Sequence, residues 1–337
     1  MVENDEMADM DVGADDIVET FLRPLSDPKG IKECLDKYGA VGITGVLTEE
    51  EVNETVIDIE EMMKFLVKDN AFAFSDKSTF HLADRYLNNF GVIGKESLFT
   101  KTLTRNRFHP NVQLAYEIAY GKSPQYLVAQ YDRVAWMRPT IGPLDENLSK
   151  YRTMPNTHLD INPESYFNPS LSKSVYDFLN NIPYTSKGDF MKENNVKCQS
   201  MGLQLQGVLN LFDNEEEDGG FAFVPEGHKK LYDWYIKRRN HLPAPVPSGR
   251  YGFTKADHEF SYAVRLPCPK GTLIIFDASL PHGTKSNKSK NQRMIQFIRY
   301  MPKSTLSKDA LKRRTKFIRS ELNAIGYKLT PSELNVL

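Results

Sequence analysis

Along residues 201–212 the side chains alternate: Met201, Leu203, Leu205, Leu209 and Leu211 fall on one side, and Gln204, Gln206, Val208 and Asn210 on the other. A period of two belongs to a strand with one buried face. Partners for it lie nearby. Residues 126–137 read as a strand stopped by Arg138-Pro139. Residues 221–224 form another between the charged turn 213–220 and the turn Pro225-Glu226-Gly227. Residues 272–276 and 294–300 add two more. Short strands separated by turn signals predict an antiparallel sandwich or barrel. The opening is different. Ile31, Cys34, Leu35 and Tyr38 keep helical spacing up to Gly39, residues 40–43 read as a strand, and Thr48-Glu49-Glu50-Glu51 is a capping box that starts a second helix. Val52, Val56, Ile59, Met63 and Leu66 mark its buried face. A basic amphipathic helix over 307–325 and a short one from Thr330 close the chain. The expected class is mainly β with flanking helices, an α+β fold.

The 337 residues leave room for one large domain with insertions or for two ordinary ones. We read 1–16 as a disordered acidic tail and 17–305 as one domain. Residues 306–337 are read as C-terminal helices packed on it. Stretches near 163–197 and 232–259 do not fit a strand ladder and read as functional insertions. A net charge of −1 gives no whole-molecule attraction to nucleic acid or membrane, so neither partner is expected. Cys34, Cys198 and Cys268 lack metal-knot spacing and read as thiols in a reducing compartment, cytoplasmic or similar. No signal peptide, membrane span or C-terminal peroxisomal address is expected.

His158-Leu159-Asp160 lies at the edge of a strand signal. In an extended chain, residues two apart project to one side, so imidazole and carboxylate can share a metal ion. His282 follows an apolar strand and a small-residue turn. Two histidines and one carboxylate on one face of an iron form the facial triad of non-haem Fe(II) oxygenases. Arg293, eleven residues on, opens the strand 294–300 and shares a face with Ile295 and Phe297. A buried arginine calls for an anion, and its planar fork suits a carboxylate. Asn287 and Ser289 stand in the turn between.

The pattern His-x-Asp, a long gap, then His with Asn, Ser and Arg at plus five, seven and eleven resembles the phytanoyl-CoA dioxygenase family. The segment Asp218-Gly219-Gly220-Phe221-Ala222-Phe223-Val224-Pro225-Glu226-Gly227-His228-Lys229 resembles that family's E-N-G-x-L-x-x-x-P-G-S-H-K. Residues 38–48 resemble its first strand. The chain departs from the pattern at Glu226-Gly227, where Gly-Ser is usual, and at Leu159, where Gln is common. The resemblance implies a double-stranded β-helix, or jelly-roll, core. It also implies Fe(II) on His158, Asp160 and His282, 2-oxoglutarate as co-substrate and O2 as oxidant. Arg293 is then the anchor of the 2-oxoglutarate C5-carboxylate, with Ser289 as helper. The implied reaction hydroxylates a small organic substrate and releases succinate and CO2. Gln204 and Gln206 are candidates for contacts to the co-substrate or substrate. Tyr131 and Trp136 fit core packing better, yet with Asn210 they are carried as candidates for the substrate pocket. Two other readings stay open: a non-catalytic jelly roll that binds metal and 2-oxoglutarate, and a cupin-like hydrolase or isomerase, in which Arg293 has no evident role.

Overall fold

The computed structural model describes residues 8–9, 14–94, 97–142, 146–153, 156–160, 163, 167, 205–240, 242, 251–254, 256–260, 262–306 and 308–337. Local signals set the first helices after α1 (Ala14–Phe21). The Asp27 side chain accepts the Gly30 amide at 2.9 Å, Pro28 sits in the first turn, and α2 (Pro28–Tyr38) follows. It ends at Gly39, whose φ of 85° is open to glycine without strain. Thr48 and Glu51 form the expected capping box of α3 (Glu49–Val67), which buries Val52, Ile59 and Met63. Next come α4 (Lys101–Phe108), α5 (Pro110–Tyr120), α6 (Gly227–Arg238) and α7 (Lys308–Ala324).

The strands are β1 (Ala8–Asp9), β2 (Leu22–Pro24), β3 (Ala40–Thr44), β4 (Leu127–Gln130), β5 (Val134–Met137), β6 (Asn156–Leu159) and β7 (Leu205–Asn210), then β8 (Gly220–Phe223), β9 (Tyr251–Gly252), β10 (Tyr262–Arg265), β11 (Leu273–Asp277), β12 (His282–Lys285), β13 (Arg293–Phe297) and β14 (Arg299–Pro302). One sheet runs β1-β10-β8-β12-β6-β9 and a second runs β2-β3-β11-β7-β13-β5, while β4 and β14 form a separate pair. Helices and sheets are mixed in an α+β arrangement. The two large sheets meet through their aromatic residues. Phe221 of β8 packs on Phe276 of β11 with ring centroids 4.7 Å apart.

Strand alternation divides the second sheet into two faces. Gln296 of β13 turns toward the helices, accepting from the Asn106 amide at 3.0 Å and donating to the Leu103 carbonyl at 2.8 Å. Arg293, Ile295 and Phe297 therefore face the other sheet, as their spacing implied. Because Asn210 pairs with Ile295 and Val208 with Phe297, the face of β7 carrying Gln206, Val208 and Asn210 looks the same way. Trp136 pairs with Met294 and faces the opposite side. There its ring meets Phe74 and Phe80 edge-on at 4.8 and 4.9 Å, and its Nε1 donates to Gln292 at 2.9 Å. Trp136→Ala is therefore expected to cost about 3–5 kcal/mol of stability, read from urea unfolding.

Several expected elements come out differently. The strand read over 126–137 is two strands in different sheets. Its break lies at the Asp132 carbonyl, which accepts from Arg107 Nη2 at 2.7 Å and the Leu98 amide at 3.2 Å instead of continuing a ladder. The strand read over 294–300 breaks at Ile298, whose carbonyl takes the Tyr116 hydroxyl at 2.7 Å. Within the stretch read as an acidic tail, Ala8–Asp9 pairs with Tyr262–Ala263 and α1 begins at Ala14. The insertion expected near 232–259 opens inside α6. It is tied down by buried Asp257, which accepts from Trp234 Nε1 at 3.1 Å and the Thr254 amide at 2.9 Å. Of the insertion near 163–197 only 163 and 167 fall among the described residues, and Phe167 packs on Tyr232 and Tyr235. The C-terminal helix bears on the core through Arg314 of α7, which donates to the Ala129 carbonyl. Cys34 and Cys268 are buried thiols pushed up to about 11 by burial; Cys198 lies outside the described residues. Among the described residues, no helix is long and apolar enough to cross a membrane.

Candidate metal centre

β6 and β12 are neighbours, and their register sets His158 directly opposite His282. Asp160 follows β6 two residues after His158, on the same side of the chain. Imidazole Nε2 of His158 lies 3.1 Å from Asp160 Oδ1, and Nε2 of His282 lies 3.6 Å from Asp160 Oδ2. One ligand atom from each of the three residues lies within 4.8 Å of the others. Metal–nitrogen and metal–oxygen bonds of ~2.0–2.2 Å reach that span after small side-chain rotations.

The surroundings orient these groups. Nδ1 of His282 is 2.8 Å from the Leu280 carbonyl, which only accepts. Nδ1 therefore carries a proton, and Nε2 is the ring nitrogen turned toward Asp160. The His282 ring is buried against Phe276, with centroids 4.5 Å apart. Desolvation raises the Asp160 carboxyl, but hydrogen bonds and charge from His158 and then His282 outweigh it and hold the group well below the usual carboxylate range. From the facing sheet, Gln206 Nε2 donates to Asp160 Oδ2 at 2.8 Å. That bond engages one carboxylate oxygen and leaves the other for a metal. Gln206→Leu should weaken metal affinity about 10-fold or more while the fold persists, as measured by Mn(II) titration.

Arg293 is 2% exposed. Its Nη1 lies 3.5 Å from Met137 Sδ, and its Nε has no hydrogen-bond partner. Among the described residues no carboxylate comes within ion-pair distance of it. Burial, and then the charge of Arg265, push the guanidinium down to about 10, so it remains a cation at neutral pH. A Cβ placed on Gly220 would stand 3.1 Å from Arg293 Nε, so the guanidinium lies across from the start of β8. Gly220 pairs with Lys285 and Phe223 with His282. Three residues of strand, ~10 Å, thus separate the guanidinium from the histidine cluster.

The remaining sequence candidates are distributed as follows. The Ser289 hydroxyl donates to Asp218 at 2.5 Å, with Asn287 Oδ1 at 3.1 Å, so it is engaged across to the 215–218 turn. Asn210 donates to the Phe212 and Cys268 carbonyls at 2.7 and 3.2 Å, and its buried Oδ1 has no partner. Tyr131 stacks on Phe99 at 4.9 Å beneath Arg107, and Trp136 packs on the helix side as described above. Gln204 lies outside the described residues. Asp218, read as part of a solvated turn, is 1% exposed. Sequence reasoning missed Arg265, which is 6% exposed at the end of β10. An arginine set between Val264 and Leu266 was the available signal.

Two facing sheets with a pair of histidines and a carboxylate converging between them give an α+β protein with a cluster that could hold a metal ion. Comparison with known proteins narrows this class. The profile of the phytanoyl-CoA dioxygenase (PhyH) family matches residues 197–295, a stretch that includes His282 and Arg293. A Dictyostelium discoideum protein named "Putative phytanoyl-CoA dioxygenase" is 33% identical over 294 residues, which cover 86% of this chain and 79% of that protein. The chain belongs to the phytanoyl-CoA dioxygenase family. Among solved structures, GlcNAc Inducible Gene 2 (GIG2, DUF1479) from Candida albicans superposes with a TM-score of 0.57 at 16% identity, over 96% of this chain and 78% of that one. The "Putative Oxidoreductase from Salmonella typhimurium LT2" does so with a TM-score of 0.53 at 11% identity, over 89% and 79%. At these identities the likeness is one of fold.

Proposed function

We propose that this protein is a jelly-roll dioxygenase that uses Fe(II), 2-oxoglutarate and O2 to hydroxylate a small organic substrate, with release of succinate and CO2. The observation that carries this reading is the pairing of two features. Three ligating side chains converge, and a buried arginine without an acidic partner stands ~10 Å from them along the strands. A metal hydrolase or isomerase would need the first feature alone.

In this reading His158, Asp160 and His282 would hold the iron. When bound, the iron and 2-oxoglutarate together supply the oxidising chemistry that activates O2. The protein supplies position and charge. Leu280 fixes the tautomer of His282, and Gln206 fixes the rotation of Asp160. Arg293 would hold the far carboxylate, a role its planar fork suits, and so would orient the keto acid. Phe221 and Phe276 keep water from the His282 side. Family membership and the donor set both support the assignment. The test is co-substrate turnover: succinate formation is expected to require added Fe(II) and to rise when the correct substrate is present. Iron-loaded protein that never consumes 2-oxoglutarate, alone or with candidate substrates, would count against the proposal.

A further inference from the structure

Arg293 is not the only buried guanidinium beside the site. Arg265 of β10, in the opposite sheet, is 6% exposed, and its Nη2 donates to the carbonyls of Glu215 and Gly219. Its Nε and Nη1 are buried and, among the described residues, without a hydrogen-bond partner. Acidic side chains do lie in its neighbourhood, namely Asp218, Glu216 and Glu215. Asp218, however, is committed elsewhere: Oδ1 accepts the Ser289 hydroxyl at 2.5 Å and Oδ2 the Glu215 amide at 2.8 Å. Cys268, near both arginines, is a neutral thiol at ordinary pH. Gly220 separates the two cations. A Cβ there would lie 3.1 Å from Arg293 Nε, 3.4 Å from Arg265 Nη2 and 2.5 Å from Asn214 Oδ1. With a φ of 127°, Gly220 also holds a backbone shape that side chains resist. Each sheet thus sends one guanidinium to the same glycine, and the donors still unused are cationic on both sides. Two buried like charges side by side call for an anion.

We infer that Arg265 is a second anion-binding group, acting with Arg293 across Gly220 on the distal carboxylate of the co-substrate. The inference rests on the proposed function, because it takes 2-oxoglutarate as the anion. Arg265 strengthens affinity for that carboxylate and sharpens discrimination against keto acids with an uncharged end. The turn 215–219 presents the Glu215 and Gly219 carbonyls, which aim the guanidinium.

The test is calorimetric binding to the Mn(II)-loaded full chain without oxygen. It compares 2-oxoglutarate with 2-oxohexanoate, which keeps the chelating end and lacks the distal carboxylate. Arg265→Gln is expected to weaken 2-oxoglutarate binding about 10- to 100-fold and to leave 2-oxohexanoate binding and Mn(II) affinity unchanged. Arg265→Lys, which keeps a charge and guards against a misfolded glutamine variant, should fall between. Equal losses for both keto acids would mark a structural role and overturn the inference, as would wild-type affinity in both variants. A wild-type protein that binds neither keto acid would overturn the functional reading and this inference with it. Wild-type binding of 2-oxoglutarate with no effect at Arg265 would remove the inference alone.

Discussion

Arg293→Gln should weaken 2-oxoglutarate binding on the order of 10²- to 10³-fold while metal affinity stays near the wild-type value. The expectation follows from where the side chain is. The guanidinium is buried, and among the described residues it meets Met137 Sδ, the Cys268 thiol and the neighbouring charge of Arg265, with no carboxylate at ion-pair distance. A carboxylate entering that space replaces no existing ion pair, so its hydrogen bonds appear almost wholly as affinity. The apo protein meanwhile bears an unpaired buried charge, so the glutamine variant should be no less stable without ligand. Saturating metal and 2-oxoglutarate should raise the wild-type melting temperature and leave that of the variant almost unmoved. The pH dependence has a fixed sign. Burial and Arg265 lower the guanidinium to about 10, so affinity should hold through neutral pH and fall as pH rises through that value. Calorimetry with the Mn(II)-loaded protein checks both points. Undiminished affinity in the variant would put the co-substrate elsewhere.

The second large effect is expected at Asp160. Asp160→Ala should lower metal affinity at least 10²-fold and abolish turnover, since two neutral imidazoles are a weak site without the carboxylate. The loss is more than one ligand. Asp160 is the group toward which both Nε2 atoms point, and Gln206 donates to it from the opposite sheet. Removing it leaves the Gln206 amide without its acceptor, so the melting temperature should also fall modestly. Mn(II) titration and circular dichroism separate the two effects.

How much of this was legible beforehand depends on the range of the interaction. The helix boundaries at Gly39, Thr48 and Glu51 rest on contacts within four residues, and the chain states them outright. The same-side placement of His158 and Asp160, and the inward face shared by Arg293, Ile295 and Phe297, follow from a period of two. The register that sets His158 opposite His282 is different. It depends on the pairing of strands over a hundred residues apart, and only the family's spacing hinted at it. The split of 126–137 was hidden for the same reason. Arg107, on α4, captures the Asp132 carbonyl, and nothing near Asp132 in the sequence announces that. Ser289 was read from its spacing after His282, yet its hydroxyl is given to Asp218. Arg265 also stood out in the chain, a lone cation between Val264 and Leu266, but without a motif around it the signal passed as ordinary.

The central claim is that His158, Asp160 and His282 hold one ferrous ion that 2-oxoglutarate can chelate. The most direct measurement is the visible spectrum of the Fe(II)-loaded protein under argon as 2-oxoglutarate is added, because keto-acid chelation of Fe(II) gives a charge-transfer absorption that neither component shows alone. The wild type is expected to develop this band at saturating 2-oxoglutarate, and Asp160→Ala is expected to lack it. An iron-loaded wild type that stays featureless, or a band of full intensity in Asp160→Ala, would contradict the account.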